Sequence, residues 1–166
     1  MSTFSSQVIT EEGMALLSGA ISGSSLMFTH MELSDGAGKS ASIQIDQVTK
    51  KGRQLDVEGT FSNADVSEGF WAKEFKLYAS QGKDNTEVIF SSSTDSKPDY
   101  IPPITESNIS ATYTVLIAVS NVDSIQVEAP SGRFVTMDVL KEALGGQIFS
   151  LSTDSDGNVC IELPEP

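Results

Sequence analysis

From Ile109 to Val119 the chain alternates with a period of two. Ile109, Ala111, Tyr113, Val115, Ile117 and Val119 fall on one face; Ser110, Thr112, Thr114, Leu116 and Ala118 fall on the other. Successive side chains of a strand point to opposite faces, so this run is a half-buried β-strand and not an amphipathic helix. The same pattern recurs upstream. Leu55, Val57, Gly59 and Phe61 alternate with Asp56, Glu58 and Thr60. Ser25–Leu33, Ile43–Val48, Phe70–Ala79, Val88–Ser93 and Ile125–Ala129 are also rich in β-compatible residues. Turn chemistry separates them: Asp35-Gly36-Ala37-Gly38, Lys50-Lys51-Gly52-Arg53 and Gln81-Gly82-Lys83-Asp84-Asn85.

Two strands carry complications. In Phe70–Ala79 strict alternation puts Phe70, Ala72, Glu74, Lys76 and Tyr78 on one face and Trp71, Lys73, Phe75, Leu77 and Ala79 on the other. Neither face is purely apolar, which predicts a strand covered on both sides. Lys97-Pro98-Asp99-Tyr100-Ile101-Pro102-Pro103 contains three prolines. Each lacks an N–H, so the segment is expected outside any regular ladder, as a stiff extended connection.

Helix is sparse. Thr10 is placed to cap a short helix over about residues 10–20, with Glu11 and Glu12 favouring its positive end. A second short helix is expected after Thr136, with Val139, Leu140, Ala143 and Leu144 on its apolar stripe and Gly145-Gly146 ending it. Ile148–Ser152 and Val159–Leu163 flank Asp154-Ser155-Asp156-Gly157 as a hairpin. The fold class predicted is mainly β (α+β): an antiparallel β-sandwich-like body with a short N-terminal helix, then a short helix and β-hairpin at the C-terminus. The body is expected over 1–129 and the C-terminal unit over 130–166.

Charge narrows the partners. Ten Lys and Arg stand against 23 Asp and Glu, for a net charge of −13. Such a surface repels nucleic acid and anionic membrane alike. No run of about 18 apolar residues exists to insert in a membrane, and the first residues lack the basic-then-apolar pattern of a signal peptide. The single cysteine, Cys160, excludes an intramolecular disulfide and reads as a strand thiol.

No catalytic constellation emerges. His30 is the one histidine and reads as structural. Asp154-Ser155-Asp156-Gly157-Asn158 has its glycine in the wrong place for a calcium loop and reads as a tight turn. Glu74, between Lys73 and Lys76 in an aromatic strand, is expected to be ion-paired. Phosphate loops, nucleophile elbows and dinucleotide fingerprints are missing from the sequence. The expectation is a non-enzymatic protein with no cofactor and no metal.

The order of segments resembles the N-terminal domain of phage tail-collar fibre proteins, found in phages, prophages and phage-tail-like bacteriocins. Ile9-Thr10-Glu11-Glu12-Gly13-Met14-Ala15-Leu16-Leu17 looks like that family's start. Leu26-Met27-Phe28-Thr29-His30-Met31-Glu32-Leu33-Ser34-Asp35-Gly36 is similar to its first strand, with Ser34 where the family has glycine. Gly69-Phe70-Trp71-Ala72-Lys73-Glu74-Phe75-Lys76-Leu77-Tyr78-Ala79 is similar to its central Glu-Ile-Gly-Leu-Tyr signature, with Phe75 and Lys76 replacing Ile and Gly. Asp99-Tyr100-Ile101-Pro102-Pro103, the strand to Val119 and Phe134-Val135-Thr136 complete a match over about residues 7–140.

The resemblance implies a structural virion or tail-particle component that anchors a fibre to the baseplate and supports host attachment. Its partners would be baseplate proteins and a second fibre or tip protein, in a homotrimer assembled in the bacterial cytoplasm. Residues 1–129 would form the attachment domain, and 130–166 an oligomerisation or fibre-tip docking unit. Expected interface residues are Tyr100, Ile101, Pro102, Pro103, Phe134, Val139, Leu140, Phe149, Leu151, Val159 and Ile161. Expected core residues of the signature strand are Phe70, Trp71, Glu74, Phe75, Leu77 and Tyr78. Two other readings are a carbohydrate-binding module or adhesin, marked by exposed aromatic platforms, and a tail-associated glycan hydrolase.

Overall fold

The structure is a computed structural model, described for residues 4, 7–82, 86–119, 126–128, 150–153 and 159–162. The chain divides into two compact units, Met1–Gly132 and Arg133–Pro166.

The first unit contains β1 (Val8–Ile9), α1 (Glu11–Ile21), β2 (Ser25–Ser34), β3 (Ser40–Lys51), β4 (Gln54–Ser62), β5 (Phe70–Ser80), β6 (Val88–Ile101), β7 (Ser110–Ala118) and β8 (Gln126–Glu128). One sheet takes them in the order β1-β6-β5-β2-β3-β4-β7, every neighbour antiparallel. β8 adds parallel to Ser25–Met27 of β2. It takes the stretch of edge that β3 leaves open, because β3 pairs β2 only along His30–Ser34.

β3 is the strand that bends the sheet. Its first half pairs β2, and its second half, from Gln44 to Lys51, pairs β4. The register shifts between Ile45 and Gln47, opposite Gly59. A Cβ at position 59 would lie 2.5 Å from the Gln44 carbonyl oxygen, so only glycine admits the kink. The ring of Phe75 on β5 stacks on that of Tyr113 on β7, 5.7 Å between centroids. Those strands are four positions apart in the sheet order, so the sheet curls until its two ends approach. The inside of the curl is the core: Met31, Leu33, Ile43, Ile45, Leu55, Val57, Phe61 and Leu77 are all buried.

α1 packs on β6, β2 and β5. Thr10 caps it as expected, its Oγ1 accepting from Gly13 N at 2.9 Å. The cap also ties the helix to the sheet, because Thr10 N donates to the Phe90 carbonyl at 3.0 Å and its hydroxyl donates to the Ile89 carbonyl. Leu17 and Ala20 are buried, whereas Met14 and Ile21 remain exposed.

The faces of β5 differ from strict alternation. The β5–β6 register shifts between Ala72 and Glu74, where Lys73 alone faces the four residues Asp95–Pro98 of β6. At this irregularity Lys73 and Glu74 both lie off the buried face, so the strand turns over. Phe70, Ala72, Phe75, Leu77 and Ala79 are therefore all buried on one face, while Trp71, Glu74, Lys76 and Tyr78 are not. The apparently mixed strand is a one-sided strand with a bulge. The same bulge absorbs the proline problem. β6 leaves the ladder after Thr94 and rejoins it at Asp99, so Pro98 sits in the unpaired excursion opposite Lys73. Contrary to expectation, Asp99, Tyr100 and Ile101 then pair with Ala72, Trp71 and Phe70.

In the second unit β9 (Ser150–Thr153) and β10 (Val159–Glu162) form an antiparallel hairpin, with Leu151 opposite Ile161 and Thr153 opposite Val159. The turn between them and the helix expected after Thr136 lie outside the described residues, as do Phe134, Val139, Leu140 and Phe149.

Candidate interaction surfaces

The signature strand and the proline segment meet at one end of the sheet. Trp71 and Tyr100 are directly opposite on β5 and β6, their ring centroids 5.3 Å apart. Both are substantially exposed, Trp71 at 54 % and Tyr100 at 43 %. Tyr100 thus lies where an interface residue was expected. Trp71, expected in the core, is turned outward by the bulge at Lys73. Ile101, expected at an interface, is 4 % exposed and belongs to the core. Gly69 makes room for this pair: a Cβ there would lie 2.1 Å from the Tyr100 hydroxyl.

The loop after β6 is pinned rather than loose. Asn63, fully buried, donates through Nδ2 to the carbonyls of Pro102 at 2.9 Å and Ser107 at 2.6 Å. Its Oδ1 accepts from Ile109 N at 2.9 Å. Ile104 N donates to the Val66 carbonyl at 2.9 Å. Pro102 and Pro103 are half-buried, and Ile104 is exposed. A loop held this way presents Ile104 at little entropic cost. The sequence reading missed Asn63, although Asn63-Ala64-Asp65 carries turn chemistry.

The outer face of β2 and β5 is polar and internally satisfied. Lys76 Nζ lies 2.9 Å from Glu74 Oε2 and 3.7 Å from Glu32 Oε1. Ser34 Oγ donates to Glu74 Oε2 at 3.1 Å and accepts from Gly36 N. The hydrogen bond from Lys76, then that from Ser34, holds the Glu74 carboxyl below its usual range. The same bond, donated to Glu74, raises the Lys76 ammonium. Glu74 is therefore a paired carboxylate, with no sign of an acid poised by burial. Ser34 and Lys76 are thus partners of one carboxylate.

Further along this face His30 stacks on Tyr78, 4.4 Å between centroids and 7° from parallel. Thr29 Oγ1 donates to Glu87 Oε2 at 2.7 Å, and His30 Nδ1 lies 3.3 Å from Thr29 Oγ1 and 3.4 Å from Glu87 Oε2. Hydroxyl and carboxylate meet the same ring nitrogen, so no proton path runs through the imidazole from one to the other. Among the described residues no three metal-ligating side chains converge.

The two ends of the curled sheet flank a cavity of about 210 Å³ lined by Gln7, Ile9, Ser91, Val115, Leu116, Ile117 and Ala118. Ser91 is 1 % exposed, and among the described residues its hydroxyl has no hydrogen-bond partner; nor has Gln7 Nε2 or the buried Ser93 hydroxyl.

No protein family, curated protein or solved structure matches this chain. Among the described residues, the exposed Trp71–Tyr100 pair and the groove between the sheet ends are candidate interaction surfaces. Leu151, Val159 and Ile161 lie in the separate C-terminal hairpin.

Proposed function

We propose that the protein is a non-enzymatic structural component of a phage-type tail, a fibre or fibre adaptor anchored at the baseplate. One observation carries the reading. Four of the segments that resemble the tail-collar domain are scattered over the sequence yet lie together, α1 sitting on the adjacent strands β6, β5 and β2, whereas the strand to Val119 is β7 at the other end of the sheet. The Ile-Thr start seals α1 to β6, Ser34 at the end of the first strand bonds to Glu74 of the signature strand, and the signature strand begins beside Tyr100. The body is the attachment domain, and the C-terminal unit supplies trimer or tip contacts. The location would be the tail or baseplate of the particle. Gradient-purified tail particles from the producing bacterium test this by mass spectrometry. The chain should co-sediment in fixed ratio to baseplate proteins, and its absence from intact particles sinks the reading.

The exposed Trp71–Tyr100 pair favours a second reading, direct glycan binding, because aromatic faces are apolar platforms with polar edges. A glycan array separates the two. Saturable binding abolished by Trp71→Ala would make the protein a receptor binder in its own right.

A further inference from the structure

The Trp71–Tyr100 pair has a polar cleft beside it. The cleft, of about 270 Å³, is bounded on one wall by the start of β3 and on the other by the loop from β4 to β5. Lys39 and Ser40 come from the first wall, Asp65, Ser67 and Glu68 from the second, and all five are exposed. Gly69 joins the cleft to the pair. Lys39 Nζ, 3.0 Å from Glu68 Oε2, also donates to the Gly69 carbonyl at 3.4 Å. On Gly69 itself the Tyr100 hydroxyl occupies the space that a Cβ would need. Trp71 follows two residues on, opposite Tyr100. Both walls are pinned. Asp35 Oδ1 accepts from Ala37 N at 2.7 Å and from Lys39 N at 3.0 Å. Val66 is held between Asn63 and Ile104 by backbone bonds of 3.0 and 2.9 Å. Groups fixed before binding lose little entropy on binding.

We propose that the cleft and the aromatic pair form one binding site for an uncharged oligosaccharide lying across Gly69. The inference rests on the glycan-binding reading and adds to it the polar half of the site and the class of sugar. Aromatic rings take the apolar C–H face of a pyranose, and its hydroxyls need partners that donate and partners that accept. The Lys39–Glu68 pair offers a donor and an acceptor 3.0 Å apart. Asp65 adds acceptors, and the Ser40 and Ser67 hydroxyls do both. At about 270 Å³ the cleft falls below the roughly 300–1,000 Å³ of drug-sized pockets, so it takes one sugar unit and leaves the next to the rings. Charge sets the class. The lining carries the carboxylates of Asp65 and Glu68 against the single ammonium of Lys39, in a chain of net charge −13. A uronate or a sialate is repelled there.

Trp71 is the single tryptophan, so its fluorescence reports occupancy directly. The probes are trisaccharides of glucose, galactose, mannose and N-acetylglucosamine, each also made with a glucuronate or sialate at its non-reducing end. Binding to the full chain is measured by fluorescence, and by calorimetry where Trp71 is replaced. The expected result is saturable binding by at least one neutral probe, weakened roughly tenfold or more by the acidic end group. Lys39→Ala and Glu68→Ala should each weaken it roughly tenfold, as loss of a hydrogen bond to a charged group does, with urea midpoints unchanged because both side chains are exposed. Trp71→Ala should abolish it. Binding that Trp71→Ala abolishes and both cleft variants leave unchanged, or acidic probes bound as well as neutral ones, overturns the proposal and leaves the glycan reading standing. No saturable binding by any probe overturns both.

Discussion

Gly13→Ala and Gly19→Ala make the same chemical change on the same helix and are predicted to move stability in opposite directions. At position 13 a Cβ would stand 2.1 Å from the Phe90 carbonyl oxygen and 2.8 Å from its carbon. Both obstacles are backbone, so neither can rotate away. Relief requires α1 to retreat from β6 by about 1 Å, which in a close-packed interior strains every contact behind it. The retreat loosens the Thr10 N–H bond to Phe90, worth about 1 kcal/mol, and the seating of Leu17 and Ala20. Overpacking of this kind costs about 1–3 kcal/mol. Better helix propensity returns about 1 kcal/mol. The net expectation is a loss of about 1–3 kcal/mol. At position 19 the nearest atom is Gln81 Nε2 at 3.6 Å, an ordinary contact, so only propensity acts and stability should rise by up to about 1 kcal/mol. Urea titration followed by far-ultraviolet circular dichroism reads both. A G13A protein as stable as the parent, or two variants shifting together, would refute the docking of α1 on the β6 backbone.

Three further outcomes follow from packing and charge. Phe75→Ala, which removes a buried ring stacked on Tyr113 and tilted against Phe4, should cost about 3–5 kcal/mol in the same titration, against under about 1.5 for exposed Trp71→Ala. Asn63→Ala should cost about 2–4 kcal/mol, since the carbonyls of Pro102 and Ser107 and the N–H of Ile109 lose their partner; equal urea midpoints for mutant and parent would contradict this. Asp56, held low first by Lys51 at 2.8 Å and then by Gln54, and Glu74, held low by Lys76 and Ser34, both have depressed pKa values. Their stabilisation is present above the unfolded carboxyl range of about 4 and is lost as pH falls through the lower folded values. Urea midpoints should stay level from neutral pH down to about 5 and drop below about 4, and Asp56→Asn should flatten the drop.

Much of this fold is written in local pattern. Thr10 followed by Glu11 and Glu12 marked α1, Gly52 marked the β3–β4 hairpin, and the alternation from Ile109 marked β7 within a residue of its ends. The failures cluster where one residue is out of step. Alternation assigns faces only while the ladder is unbroken, so the irregularity at Lys73 put Trp71, expected in the core on the same face as Phe75, on the exposed face instead. Proline excludes a ladder bond at its own position, not at Asp99–Ile101 beyond it. The site was less legible than the fold. Tyr100 was foreseen as exposed and Glu74 as paired, but the groove joins Gln7 to Ala118, and Asn63 reaches across to Ser107. Such closures depend on how the sheet curls, which no short window of sequence contains. Ser34 and Lys76 show the same limit, for they are 42 positions apart in the sequence and only Glu74 joins them.

The measurement that tests the central claim most directly is the position of the chain on a particle. Tail particles from the producing bacterium would be labelled with gold-conjugated antibody raised against residues 1–132 and viewed by electron microscopy. The account predicts label at the baseplate end of the tail, at the roots of the fibres. Label confined to fibre tips, or particles that assemble and carry no label, would contradict it.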